Sequence, residues 1–119
     1  MQEFYLIGRI LLGGYFIYSG IGHFMGLTAM AGYAKSKHIP APTLSVALSG
    51  LMLLLGGLSI LLNFWMVTGV LILEVFLIVA TLTMHQFWTI KDPMARMSET
   101  IGFSKNVALI GSLLMIASK

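Results

Sequence analysis

The chain has 119 residues, 58% hydrophobic and only 9% charged, with a formal net charge of +3 and no cysteine. An average globular chain is about one quarter charged, so most of this surface meets lipid, and a water-soluble domain is excluded. Seven Lys and Arg without a run leave no nucleic-acid footprint, and the lack of cysteine excludes disulfides, thiolate metal sites and iron–sulfur clusters.

Residues 4–24 form the first apolar stretch, long enough to cross a ~30 Å hydrocarbon core. Ala29-Met30-Ala31 has the small-x-small look of a signal-peptide cleavage site. The stretch before it carries Glu3, has no early Lys and is longer than a signal core, so it reads as a span. Residues 28–37 fit a short interfacial helix, and Pro40 and Pro42 after it predict an extended link. The second span is 44–62, apolar throughout, and Asn63 marks a tight turn into the third span, 65–85. Gln86-Phe87-Trp88 follows as an interfacial belt. A polar segment with Lys91, Asp92-Pro93, Arg96 and Glu99 leads to the fourth span, 101–117, which places Lys105 in its first turn, able to snorkel to the headgroups.

The expected fold is therefore a single all-α membrane domain over 1–119, an up-and-down bundle of four transmembrane helices with a short interfacial segment after the first. Alternation puts both loops on one side, with Lys35, Lys37, Lys91, Arg96 and Lys105, and both termini on the other, with Arg9 and Lys119. The positive-inside rule then assigns the loops to the cytoplasm and both termini to the outside of the cell membrane. Gly13 and Gly20, and Gly50 and Gly57, recur at seven-residue spacing and suit close helix packing, within the monomer or across a homodimer.

Ionisable groups at membrane depth are costly and mark candidate sites. Arg9 and His23 lie within about 40° on one helix face, and Glu74 and His85 within about 20° on another. Facing stripes would pair Arg9 with Glu74 at one level and bring His23 near His85 at the other. Such an ion pair locks helix register or handles protons, while the histidines bond to backbone and water or hydrogen-bond the carbonyls of a quinone-like lipophile. No metal site follows, since His85 has no carboxylate at i+3 or i+4, and a bis-histidine haem lacks any other signature. The nine methionines are spread through the spans as filler.

Gly8-Arg9-Ile10-Leu11-Leu12-Gly13, then Ser19-Gly20-Ile21-Gly22-His23-Phe24, resembles the first span of the DoxX family. Lys37-His38-Ile39-Pro40-Ala41-Pro42 with the Gly56-Gly57 pair is similar to its second block. His85-Gln86-Phe87-Trp88, Asp92-Pro93, Glu99 and Phe103-Ser104-Lys105-Asn106 before Ala108-Leu109-Ile110-Gly111 is similar to its last. The resemblance implies a small four-helix accessory subunit, in some relatives of quinone-linked sulfur-oxidising complexes and in others of oxidoreductase assemblies tied to oxidative stress. It implies Arg9, His23, Glu74, His85, Lys105 and Asn106 as pocket or network residues, and the expectation drawn from them here sets His23, His85 and Lys105 near the loop-side end of a central pocket. One fold hosts several roles. The leading expectation is a quinone- or lipid-binding subunit of a membrane redox complex. The rival is a non-catalytic assembly, chaperone or scaffold protein, and a proton path along the stripes is a third. The chain carries no catalytic motif and no intrinsic redox centre, so any oxidoreductase role needs a bound quinone or a partner.

Overall fold

A computed structural model describes residues 2–118; Lys119, one of the two cations assigned to the termini side, lies outside them. Five α-helices carry the chain: α1 (Gln2–Met25), α2 (Leu27–Ser36), α3 (Pro42–Leu62), α4 (Met66–Met84) and α5 (Pro93–Ala117), with a 3-10 turn at Phe87–Thr89. All but α2 are long and apolar enough to cross a membrane. The molecule measures 45 Å along its longest axis, which matches a bilayer including its headgroups. Large apolar side chains such as Phe4, Leu62 and Ile101 are exposed around the spans, as a lipid-facing surface requires.

The helix boundaries follow local chemistry. Pro42 and Pro93 stand in the first turns of α3 and α5, where a missing N–H costs nothing. Asp92 caps α5, its carboxylate accepting from the Ala95 amide at 2.9 Å. Because of this cap α5 starts at Pro93 rather than at 101, and Lys105 falls at the helix midpoint, not in its first turn. The link before α3 is not simply extended either: His38 (φ 62°) and Ala41 (φ 45°) are both left-handed, which turns the chain sharply off α2. Asn63 closes α3 in the left-handed conformation it tolerates well, and Trp65 shares that conformation at a steric cost typical of bulky residues.

α1 packs on α3, α3 on α4 and α4 on α5, each antiparallel to the last, while α2 lies against the start of α3. Backbone contact at two pairs of glycines sets the α1–α3 seam. A Cβ on Gly13 would stand 2.9 Å from the Gly57 carbonyl oxygen, and one on Gly20 would stand 2.9 Å from that of Gly50. The seven-residue glycine spacing thus serves packing inside the monomer. Phe16, Leu53, Ile60, Val70, Leu73, Leu77 and Leu113 fill the centre, drawn from all four spans. α5 returns beside α1 without sealing against it, and a groove remains between them.

Candidate functional site

The groove between α1 and α5 has a volume of about 600 Å³ and is walled mostly by apolar side chains, among them Leu11, Leu12, Leu109 and Ile116. Two polar groups meet in it. The Lys105 ammonium donates to the Tyr15 hydroxyl at 3.0 Å and lies 5.7 Å from that ring's centre. Lys105 is twelve residues from either end of α5, or roughly 18 Å along the axis. An ammonium has three donors, and the other two find no acceptor among the described residues. A lysine inside a span is costly, so an acceptor in the groove has a cost to offset.

Arg9 does not pair with Glu74. Its Nε donates to the Ile60 carbonyl and its Nη2 to that of Leu61, both at 3.1 Å, and the guanidinium lies 5.5 Å from the Tyr5 ring centre. The physical reason is proximity: the glycine seam holds α1 against α3, whose last carbonyls keep accepting capacity and carry the negative end of the helix dipole. Glu74 instead sits in the bundle interior, 8% exposed, and its Oε1 has no hydrogen-bond partner among the described residues. Thr81, two turns along the same face, is likewise buried with an unpartnered hydroxyl. Asn106 on α5 is buried as well.

The two histidines have separate partners. His23 donates from Nδ1 to the Ser19 carbonyl at 2.8 Å and sets its ring edge-on to Phe76. His85, just past the end of α4, reaches α5. Its Nδ1 lies 3.3 Å from Glu99 Oε2, and Gly102 leaves room for the ring, since a Cβ there would fall 2.7 Å from Nδ1. Tyr33 from α2 completes this cluster, its hydroxyl 3.4 Å from both Glu99 Oε1 and the Met84 carbonyl. Lys37 stands over the Tyr33 ring at 5.5 Å. Burial pushes the Tyr33 phenol above its ordinary value, and the Glu99 charge and hydrogen bond push the same way.

Of the six residues singled out in the sequence, only Lys105 lines the groove. His85 anchors the loop-end cluster, Arg9 caps α3, His23 closes on its own helix, and Glu74 and Asn106 lie in the interior. Tyr33 was missed, because no sequence signal links it to a residue 66 positions away. Glu99 was read as part of a loop and so was given no helix face. The Asp92-Pro93 start signal places it on α5, three residues before Gly102 and on the side that meets His85.

In comparison with known proteins, the DoxX family model matches residues 4–86. Neither the curated proteins nor the solved structures gave a significant match.

Proposed function

The chain belongs to the DoxX family of membrane proteins, and from that premise we propose that it is a small accessory subunit of a membrane oxidoreductase system. It holds a quinone, or a lipid of similar girth, in the groove between α1 and α5. The Lys105–Tyr15 pair carries this reading. A groove of about 600 Å³ falls within the usual size of small-molecule sites, and apolar walls with a few convergent donors are their usual make-up. Tyr15 stands near the middle of α1 and the Lys105 ammonium reaches its hydroxyl, so the pair is placed to meet the carbonyl of an apolar molecule. Lys105 and Tyr15 would orient that carbonyl, and the leucines of the wall would hold the ring and tail. The quinone would supply the electron chemistry.

The test is mass spectrometry of the organic extract from gently purified protein. A lipophile in near-stoichiometric amount is expected, retained by His85→Ala and lost from Lys105→Met and Tyr15→Phe. Bulk phospholipid alone, from protein shown to be folded, would sink the reading and favour a non-catalytic assembly role, in which the groove receives a partner's helix. A ligand kept by both groove variants would move the seat elsewhere.

The same proposal sets the chain in the cytoplasmic membrane with its loops in the cytoplasm and both termini outside, on the strength of Lys35, Lys37, Lys91 and Arg96 at the loop end. A cysteine-free chain makes single-cysteine reporters clean. A cysteine at Asn63 should react with a membrane-impermeant maleimide added to intact cells, and one at Lys37 only after lysis; the reverse pattern inverts the topology.

A further inference from the structure

Glu74 and Thr81 fall within about 20° of one another along α4, and His85 follows directly after its last turn. His85 rests on α5 at Glu99 and Gly102, and from that contact the antiparallel register sets Asn106 at the level of Thr81 and Leu113 at the level of Glu74. Glu74, Thr81 and Asn106 are each more than nine-tenths buried, and Glu74 Oε1 and Thr81 Oγ1 have no hydrogen-bond partner among the described residues. Buried polar groups in that condition are ordinarily satisfied by internal water.

Among the described residues, no counter-ion serves Glu74. α3 carries no ionisable residue. On α1, Arg9 is held by the carbonyls of Ile60 and Leu61, and His23 by that of Ser19. On α5, Lys105 is bound to Tyr15, and Glu99 is two turns or more toward the loops, with His85. A carboxylate removed from water without a partner is among the costliest of burials, and a carboxyl group escapes that cost by keeping its proton. At the other end of the stripe, the His85 and Glu99 side chains keep 26% and 18% of their surface, so the stripe opens toward the loops.

We propose that Glu74 is a proton-exchanging acid served from the loop side of the membrane, through the Thr81–Asn106 level and then the His85–Glu99 pair, with internal water joining the levels. In each exchange the carboxyl O–H bond breaks, the proton passes outward by way of the Thr81 hydroxyl and a His85 ring nitrogen to water at the loops, and a proton travelling inward re-forms the bond. No net charge moves and no other reactant is needed. The proposal stands apart from the groove and does not depend on what occupies it.

Infrared spectroscopy of the whole protein, in a maltoside detergent that carries no carbonyl group, tests it. The wild type should show the C=O stretch of a protonated carboxyl that Glu74→Gln lacks, and this band should shift on transfer to D₂O. Thr81→Val and His85→Ala should slow that shift about tenfold, as the loss of one hydrogen-bonded relay step predicts, while Tyr15→Phe in the groove should leave it unchanged. If His85→Ala loses its helical fold, Glu99→Gln, which keeps the ring, takes its place. No band difference between wild type and Glu74→Gln overturns the acid, and an unchanged rate in either relay variant overturns the route.

Discussion

Arg9 offers the sharpest test of how this bundle is held together, because two arrangements of the same charges predict different couplings. In the structure its guanidinium donates two hydrogen bonds of 3.1 Å to the last turn of α3 and none to Glu74. A hydrogen bond to a charged group contributes about 1.5–3 kcal/mol net. Arg9 is half-buried near the bundle end, where water can replace part of each bond, so Arg9→Met should destabilise by about 2–4 kcal/mol rather than the full sum. Arg9→Lys keeps the charge near the helix dipole but not the two-pronged geometry, and should lose about half as much. Glu74→Gln alone should shift stability by less than about 1 kcal/mol. The decisive quantity is the double-mutant cycle. With separate partners, Arg9→Met and Glu74→Gln should add to within about 0.5 kcal/mol. Were the two an ion pair inside the membrane, breaking either side would cost about 3–5 kcal/mol and the cycle would show strong coupling. Reversible unfolding in mixed maltoside and dodecyl sulfate micelles, followed by the fluorescence of Trp65 and Trp88, measures all four species. A coupling above about 1 kcal/mol would refute the assignment of Arg9 to the α3 carbonyls.

Two further outcomes are expected. Gly57→Val should destabilise by about 3 kcal/mol or more, because its Cβ would meet the Gly13 carbonyl oxygen at 2.9 Å and the Ile17 amide nitrogen at 3.0 Å, backbone that cannot rotate away. Gly14→Ala and Gly111→Ala, where nothing lies within 4 Å, should stay within about 0.5 kcal/mol in the same unfolding assay. The phenol of Tyr33, ordinarily near 10.0, is raised by burial and then by Glu99, so the folded state holds that proton more tightly than the unfolded one. The stabilisation is complete below the unfolded value and is lost as pH climbs from there through the folded one. Alkaline phenolate absorbance, wild type minus Tyr33→Phe, should therefore titrate late, and Glu99→Gln should bring it earlier; no difference between the two backgrounds would rule out the Tyr33–Glu99 contact.

The spans and the interfacial helix were legible because length and punctuation specify them. Long apolar runs have to cross, and Pro42 starts α3 where a proline is tolerated. The fourth helix was misjudged at its start because Arg96 and Glu99 look like loop residues, although Asp92-Pro93 is a cap followed by a first-turn proline and carries the signal. That error put Lys105 in the first turn of the helix rather than at its midpoint and hid Glu99 from His85. The Arg9–Glu74 pairing failed for another reason. Periodicity places both residues on stripes of their own helices, but the rotation of α1 against α4 is not in that arithmetic.

In water, an apolar stripe tells a helix which way to turn. In lipid it does not, because the surroundings are as apolar as the core, and only small or polar residues distinguish a neighbour from the bilayer. α4 illustrates the difficulty: Leu71 and Val75 face outward while Val70, Leu73 and Leu77 are buried, and composition does not separate the two sets. Orientation is instead fixed by the features lipid cannot imitate, the glycine contacts of α1 with α3 and of α3 with α4, and the His85–Glu99 contact of α4 with α5. Between α5 and α1, Lys105 donates to Tyr15 across the groove. The side of the bundle with few packing constraints is therefore the side that stays open, and the Lys105–Tyr15 contact across it is a pair of hydrogen-bonding groups that an incoming molecule can use.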